Sequence, residues 1–499
     1  MEILYRPEFD DLHDLTDHYY RALWALRPYL DRGWRIFMPS GCGVGRPGRL
    51  PGYFDPKLAR LHERFAGQFE FSLDAAPSRV SLEMVWRNSG DPATIEAGAN
   101  SFLVDESGFH PAAERYLRPA GLLANPGIHS QRLARWIEDH RTARALLVGT
   151  GPGLDECELS ISSEDCVIVC NSIVRNSSLL DRLRPNAIAF SDPVFHLGPS
   201  RLAALFRRDL VDAARRTGAH LFVQIQDAEI LKSHLPEDLH GKILALEPSR
   251  YAPLLPNLRS GTTVRETRNI LTLFMFPLAC AVADTIELAG FDGKAPTPEA
   301  GKYFWSHARS SQYTNELLVA ELAHPAFFQI DYDRYYRDHC QLVYAQITTA
   351  EALGKRVRSL TPSFIPALAR RTGSETPPPD ESVPSPALAP IECFSRTLTL
   401  LRRHRRLAAA ALGMLVTIAI ALAMTQEGNA MILSLIVLMA LLSLGAVAVS
   451  LIYAQWSARR LETRIRRDLT DQQVRVHRAL YERIDALKGD NEESTEGKR

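Results

Sequence analysis

Five residues, Gly149-Thr150-Gly151-Pro152-Gly153, directly follow the short apolar run ALLV at 145–148. Glycine is needed where a backbone turns with positive φ or lets another group come close to its amides. A strand, such a turn and a helix N-terminus together form an oxyanion site, because unpaired N–H groups point outward there. The expected chemistry is recognition of a phosphate or a carboxylate. The spacing is GxGxG rather than the dinucleotide GxGxxG, so a tight strand-to-helix turn without a ligand is the equal alternative. Further polar residues stand just after other apolar runs: Asn171-Ser172, Ser191-Asp192-Pro193 and Asp292.

Those residues need elements to bring them together. A helix expected over 131–140 leads into the first strand. Apolar runs at 167–170, 187–190, 221–224, 243–246, 285–289 and 356–360 then alternate with helix-length segments. Short apolar runs separated by helices predict an α/β fold with a doubly wound, mostly parallel sheet. Ligands bind such sheets beyond the carboxyl ends of the strands, where all four polar groups fall. At the second strand end an NAD-type fold carries an acid for the ribose diol, and this chain has Asn171. That argues against NAD(P), and no GxxxxGK[ST] stretch is present for a P-loop ATPase.

A polar segment, 257–269, ends in Arg268-Asn269 and precedes a strongly apolar helix expected over 270–283. Its arginines could neutralise a diphosphate or a sugar carboxylate. A capped helix beside solvated arginines is the equal alternative. Past Asp292, an aromatic-rich loop holds Tyr303 and His307 and reads as a substrate lid. His339, expected at the start of a helix ending near Gly354, can act as a general base near neutral pH.

Residues 1–126 read as an α/β region without assignable chemistry, with a helix over 11–30 and strands at 34–37, 69–73 and 80–85. His13 and His18 beside aspartates raise a metal site, but a solvated helix face is the stronger reading of that stretch. The 58 basic and 58 acidic residues balance, so no global nucleic-acid footprint exists. Seven scattered cysteines without CxxC spacing argue against a disulfide framework and a zinc site. Cys166 and Cys170 fall on an expected buried strand, as small core residues. The N-terminus lacks a basic-then-apolar signal sequence, so a cytoplasmic location is expected for the first several hundred residues.

The order GTGPGL, VCNS, FSDP, TIELAGFD, a following tyrosine, a histidine and SLTPS resembles the Rossmann-like bacterial sialyltransferases. The related motility-accessory and hydroxymethylpterin diphosphokinase-like family shares much of it, and the likeness spans about 143–366. The resemblance implies that Gly149, Thr150, Gly151, Pro152 and Gly153 hold the phosphate of a CMP-sugar donor. It implies that Asn171, with Ser172, contacts the cytidine or sugar, that Asp192 sits near the donor, and that Asp292 lies beside the nucleotide. Tyr303 would steady the leaving phosphate. His339 would take the acceptor hydroxyl's proton during an inverting transfer, with His307 the second candidate base. No metal and no cofactor beyond the donor substrate are implied. The family's turn usually has Asn at position 150 and Ser at 153, and its Ser-Gly pair would fall where Arg268 and Asn269 stand.

Residues 367–395 form a Pro/Ser-rich linker. The uncharged apolar runs at 407–425 and 431–454 each suit a bilayer span and are joined by five residues, which predicts a transmembrane helical hairpin within 396–455. Arginines flank both outer ends, so the positive-inside rule places both in the cytoplasm, at a bacterial inner membrane. The tail, 456–499, reads as an amphipathic helix, suited to homo-oligomer pairing or to membrane lipid, followed by disorder. The expected function is a membrane-anchored glycosyltransferase moving an acidic sugar to a glycan or glycolipid acceptor. The alternatives are an ATP-dependent diphosphokinase-like transferase and a catalytically inactive membrane scaffold.

Overall fold

Two parallel sheets order the chain in the computed structural model, which describes residues 1–6, 12–38, 46–71, 81–85, 94–96, 117–118, 121–295, 313, 320, 323–324 and 332–372. The chain divides into two compact units, Met1–Val383 and Pro384–Arg499, and every described residue belongs to the first. The linker beyond 372, the apolar runs, the tail helix, Tyr303 and His307 lie outside the described residues. Among the described residues no helix is long and apolar enough to cross a membrane.

The larger sheet has eight parallel strands: β6 (Thr142–Val148), β7 (Cys166–Cys170), β8 (Ala187–Ala189), β9 (His220–Gln224), β10 (Ile243–Ser249), β11 (Thr263–Arg265), β12 (Ala283–Ala289) and β13 (Arg356–Ser359). Their order is β11-β10-β9-β8-β7-β6-β12-β13. Strand side chains alternate between two cores, as period-two geometry requires. Leu146, Val148, Val167 and Val169 enter one core. Ala145, Leu147, Cys166, Ile168 and Cys170 enter the other. Burial on both faces explains why these strands read as continuous apolar runs. It also pushes the Cys166 and Cys170 thiols up to about 12.

Helices Ser177–Leu183, Arg201–Thr217 and Ile225–His234 pack on the first face. Helices Pro126–Asp139, Phe276–Val282 and Tyr332–Ala352 pack on the second. The chain therefore winds outward over one face and returns over the other, the doubly wound arrangement read from the sequence. Its direction reverses between β6 and β12. That crevice is where a parallel sheet of this kind takes a ligand.

The N-terminal region carries its own parallel sheet, ordered β3-β2-β1-β4-β5. Its strands are β1 (Glu2–Arg6), β2 (Arg35–Phe37), β3 (Phe69–Glu70), β4 (Leu82–Val85) and β5 (Thr94–Glu96). Ile3, Tyr5, Trp24 and Met84 share one core with Val148 and Leu221. Helix Leu12–Ala25 overturns the expected solvated face, since every residue from Leu15 to Ala25 is buried. Its polar groups are paired instead: Asp17 binds Arg21 at 2.5 Å and accepts from Tyr53 Oη at 2.8 Å, and His18 Nδ1 meets Tyr5 Oη at 3.2 Å. The side chain of His13 lies outside the described residues.

Several boundaries differ from expectation, three of them in β12 and in the helices that lead into β6 and β12. The helix expected over 131–140 begins at Pro126, capped by Asn125, whose side chain accepts from Gly127 N at 2.9 Å. The apolar helix expected over 270–283 is split. A wide π turn, Leu271–Met275, precedes Phe276–Val282, because Pro277 cannot continue the i→i−4 ladder. Strand β12 starts two residues earlier than the apolar run, at Ala283.

Candidate functional site

The glycine turn closes on the chain itself. Gly149 N donates to Ala289 O at 2.8 Å, Gly151 N to Gly290 O at 2.8 Å, and Gly153 N to the Asp292 carboxylate at 2.7 Å. A Cβ on Gly149 would collide with Gly290 O, and one on Gly151 would collide with Asp292 Oδ2. The glycines thus let the loops after β6 and β12 touch, backbone to backbone. Gly290 itself turns with φ 72° and donates to Thr361 Oγ1 at 2.9 Å.

In this arrangement the expected phosphate cradle at Gly149, Thr150, Gly151, Pro152 and Gly153 has its three glycine amides engaged within the chain. The turn leads into a five-residue 3₁₀ segment, Pro152–Glu156, instead of a helix. Asp292 takes the Gly153 amide that an oxyanion would use. Burial raises the Asp292 carboxyl above the ordinary carboxylate range, with the Gly153 hydrogen bond opposing. Its second oxygen, Oδ2, is buried and has no hydrogen-bond partner. Sequence-distant residues lock the arrangement: Phe364 N donates to Asp292 O at 2.6 Å and Ser363 Oγ to Phe291 O at 2.7 Å.

Asn171 stands on the other side of the turn, at the end of β7 beside β6. Its φ of 48° is left-handed, a region that asparagine enters more readily than most residues. Its Oδ1 is buried without a hydrogen-bond partner. Ser172 is buried beside it. The parallel topology places Asn171 and Asp292 just beyond the ends of the strands flanking β6, so two unsatisfied acceptors bracket the glycine turn.

The other candidates divide. The Asp192 carboxylate accepts from Val194 N at 2.8 Å and Phe195 N at 2.7 Å, capping the π turn Pro193–Leu197. Asn269 likewise accepts from Leu271 N at 3.0 Å, a cap for the returning helix. The Arg268 side chain is exposed, and its carbonyl accepts from Tyr335 Oη. These two residues reach the carboxyl edge, because the helix that follows them descends to the start of β12.

His339 is not at a helix start. The helix runs Tyr332–Ala352, so His339 lies seven residues in, about 10 Å along the axis. It is buried, and burial pushes its imidazole down to about 4, so it is neutral at pH 7. Nearer the strand ends is Tyr336, whose hydroxyl lies within 2.6 Å of where a Gly293 Cβ would stand, and whose pKa burial pushes up to about 12. Tyr336 and Thr361 went unassigned in the sequence. The runs DYDRYYR and SLTPS were the available signals, since each puts polar groups beside a strand end. Among the described residues no cluster of His, Cys, Asp and Glu could hold a metal ion.

No protein-family model, curated protein or solved structure matches this chain.

Proposed function

We propose that the chain is a membrane-anchored, sialyltransferase-like glycosyltransferase that takes a CMP-sugar donor at the β6–β12 crevice. The observation that carries this reading is the pair of buried, unpartnered acceptors, Asn171 Oδ1 and Asp292 Oδ2. Burying an acceptor without a donor costs about 1–3 kcal/mol, a loss that a ligand bearing N–H or O–H groups recovers. A cytidine offers such donors in its amine and ribose hydroxyls. The donor phosphate would take the Gly153 amide once Asp292 turns toward the nucleoside.

In the transfer, the acceptor hydroxyl oxygen bonds to the anomeric carbon, the bond to the CMP phosphate breaks, and the hydroxyl proton passes to His339. A neutral imidazole has the lone pair this needs. Tyr303 and His307 belong to the segment that would cover the donor. The apolar runs at 407–425 and 431–454 would hold the enzyme at the inner membrane with both ends cytoplasmic, beside glycan or glycolipid acceptors. The tail helix would pair copies or lie on lipid.

The test is calorimetric titration of the Met1–Val383 unit with CMP, UDP, GDP and ATP, with and without Mg²⁺. Selective, metal-independent CMP binding is the expected result, and His339→Ala should then cut transfer by about 10²–10⁴-fold with CMP affinity unchanged. ATP binding that requires Mg²⁺ would replace this reading with the diphosphokinase-like one. The closed turn favours a second reading, a nucleotide-fold module that scaffolds a membrane complex without turnover. A folded unit that binds no nucleotide would establish that alternative.

A further inference from the structure

A cavity of about 320 Å³, lined by none of the crevice residues, opens where the N-terminal region meets helices Arg201–Thr217 and Ile225–His234. That volume is at the lower end of small-molecule sites. Its polar lining holds five Lys and Arg residues against two Asp. Three of the cations are already matched. Arg207, buried at the floor, pairs with Asp55 at 3.1 Å and donates to Gly198 O at 2.7 Å. Arg208 pairs with Asp209 at 2.8 Å and Arg27 with Asp31 at 3.4 Å.

Two cations are not matched among the described residues, and neither is one acid of the lining, Asp212. Among the described residues the Lys57 and Arg60 side chains, exposed at the rim, take no hydrogen bond or ion pair. Both stand at the N-terminus of helix Leu58–Phe65, whose first turn carries no acid. Positive side chains are disfavoured at that end, where the helix dipole is itself positive. A bound anion turns this local penalty into attraction, and the apolar wall of Leu58, Leu61 and Val211 would exclude water behind it.

We propose that this cavity binds a phosphate group, held between Lys57 and Arg60. The donors select the class: a phosphate monoester offers three charged acceptor oxygens, enough to meet the Lys57 ammonium and the Arg60 fork together, whereas a carboxylate offers two. The phosphate can come from a soluble ester or from a lipid headgroup, since the chain is proposed to sit at a membrane.

The test uses the full chain in neutral detergent, titrated by phosphorus NMR with inorganic phosphate and with dihexanoyl phosphatidic acid, and by calorimetry with acetate. Saturable binding of a phosphate probe is expected, weakened about tenfold by Lys57→Ala and about a hundredfold when Arg60→Ala is added, one charge-assisted contact being lost at each step. Lys57→Ala should leave CMP affinity unchanged, which separates this site from the crevice. Tighter binding of the phosphatidic acid assigns the lipid source, and equal binding assigns the soluble one. The proposal is overturned if neither probe saturates, if acetate binds as tightly as phosphate, or if the double variant binds like the parent.

Discussion

The loops after β6 and β7 leave neighbouring strands at the same edge of the sheet, yet they use their polar groups in opposite ways. After β6, the amides of Gly149, Gly151 and Gly153 are all spent, one on the carbonyl of Ala289 at the end of β12, one on that of Gly290 and one on Asp292. After β7, Asn171 holds a left-handed backbone and keeps a buried acceptor without a donor. The first loop is a joint, and the second keeps an acceptor unused. A glycine-rich turn thus marks close approach, and only the structure identifies what approaches.

Substitution of Gly149 tests the joint and carries the largest expected effect. Gly149→Ala drives a Cβ into Gly290 O, a backbone atom that cannot step aside. Overpacking of this kind should destabilise the Met1–Val383 unit by about 3 kcal/mol, read by chemical denaturation. Gly218→Ala is the control. That glycine has φ 75° but nothing within 4 Å of its would-be Cβ, so only the backbone penalty of about 1–2 kcal/mol applies. Equal losses in the two variants would mean that contact between the loops does not hold the turn.

Next comes Asn171→Gly, which preserves the left-handed backbone and deletes the side chain. Stability should hold or rise, because a strained φ is relieved and an unsatisfied acceptor is removed. CMP affinity should fall about tenfold, the value of one hydrogen bond to a buried acceptor. A variant that is no less stable and binds CMP as before would show that this acceptor does not meet the nucleotide.

The parts legible in the sequence were those set by local pattern. CVIVC announced β7, because burial on both faces leaves no polar interruption. The β11 strand, TVR, was hidden inside a polar segment, because an edge strand needs only one apolar residue and Val264 supplies it. The helix Leu12–Ala25 looked solvated because the partners of its polar groups are remote in the chain, as Tyr53 is to Asp17. The glycine spacing was visible, but its reason, Asp292, stands 139 residues from Gly153. His339 looked helix-initial because the run DYDRYYR shows no apolar period, although Asp331 is an N-cap type and the helix begins at Tyr332, well before His339.

The smallest expected effect lies in the pH dependence of the joint. Burial holds the Asp292 carboxyl above the ordinary carboxylate range, so its neutral form is the one that the fold favours. The stability this contributes is fully present below the ordinary carboxylate pKa, near 4, and is lost as pH rises through the folded value. Asp292→Asn stays neutral at every pH and keeps a carbonyl oxygen for the Gly153 amide. The melting temperature of the variant should therefore gain on that of the parent as pH rises from about 3.5 toward 7. A constant difference across that range would mean that the carboxylate is as well stabilised in the turn as in water. The turn would then be a competent oxyanion site after all, with Asp292 as its resident anion.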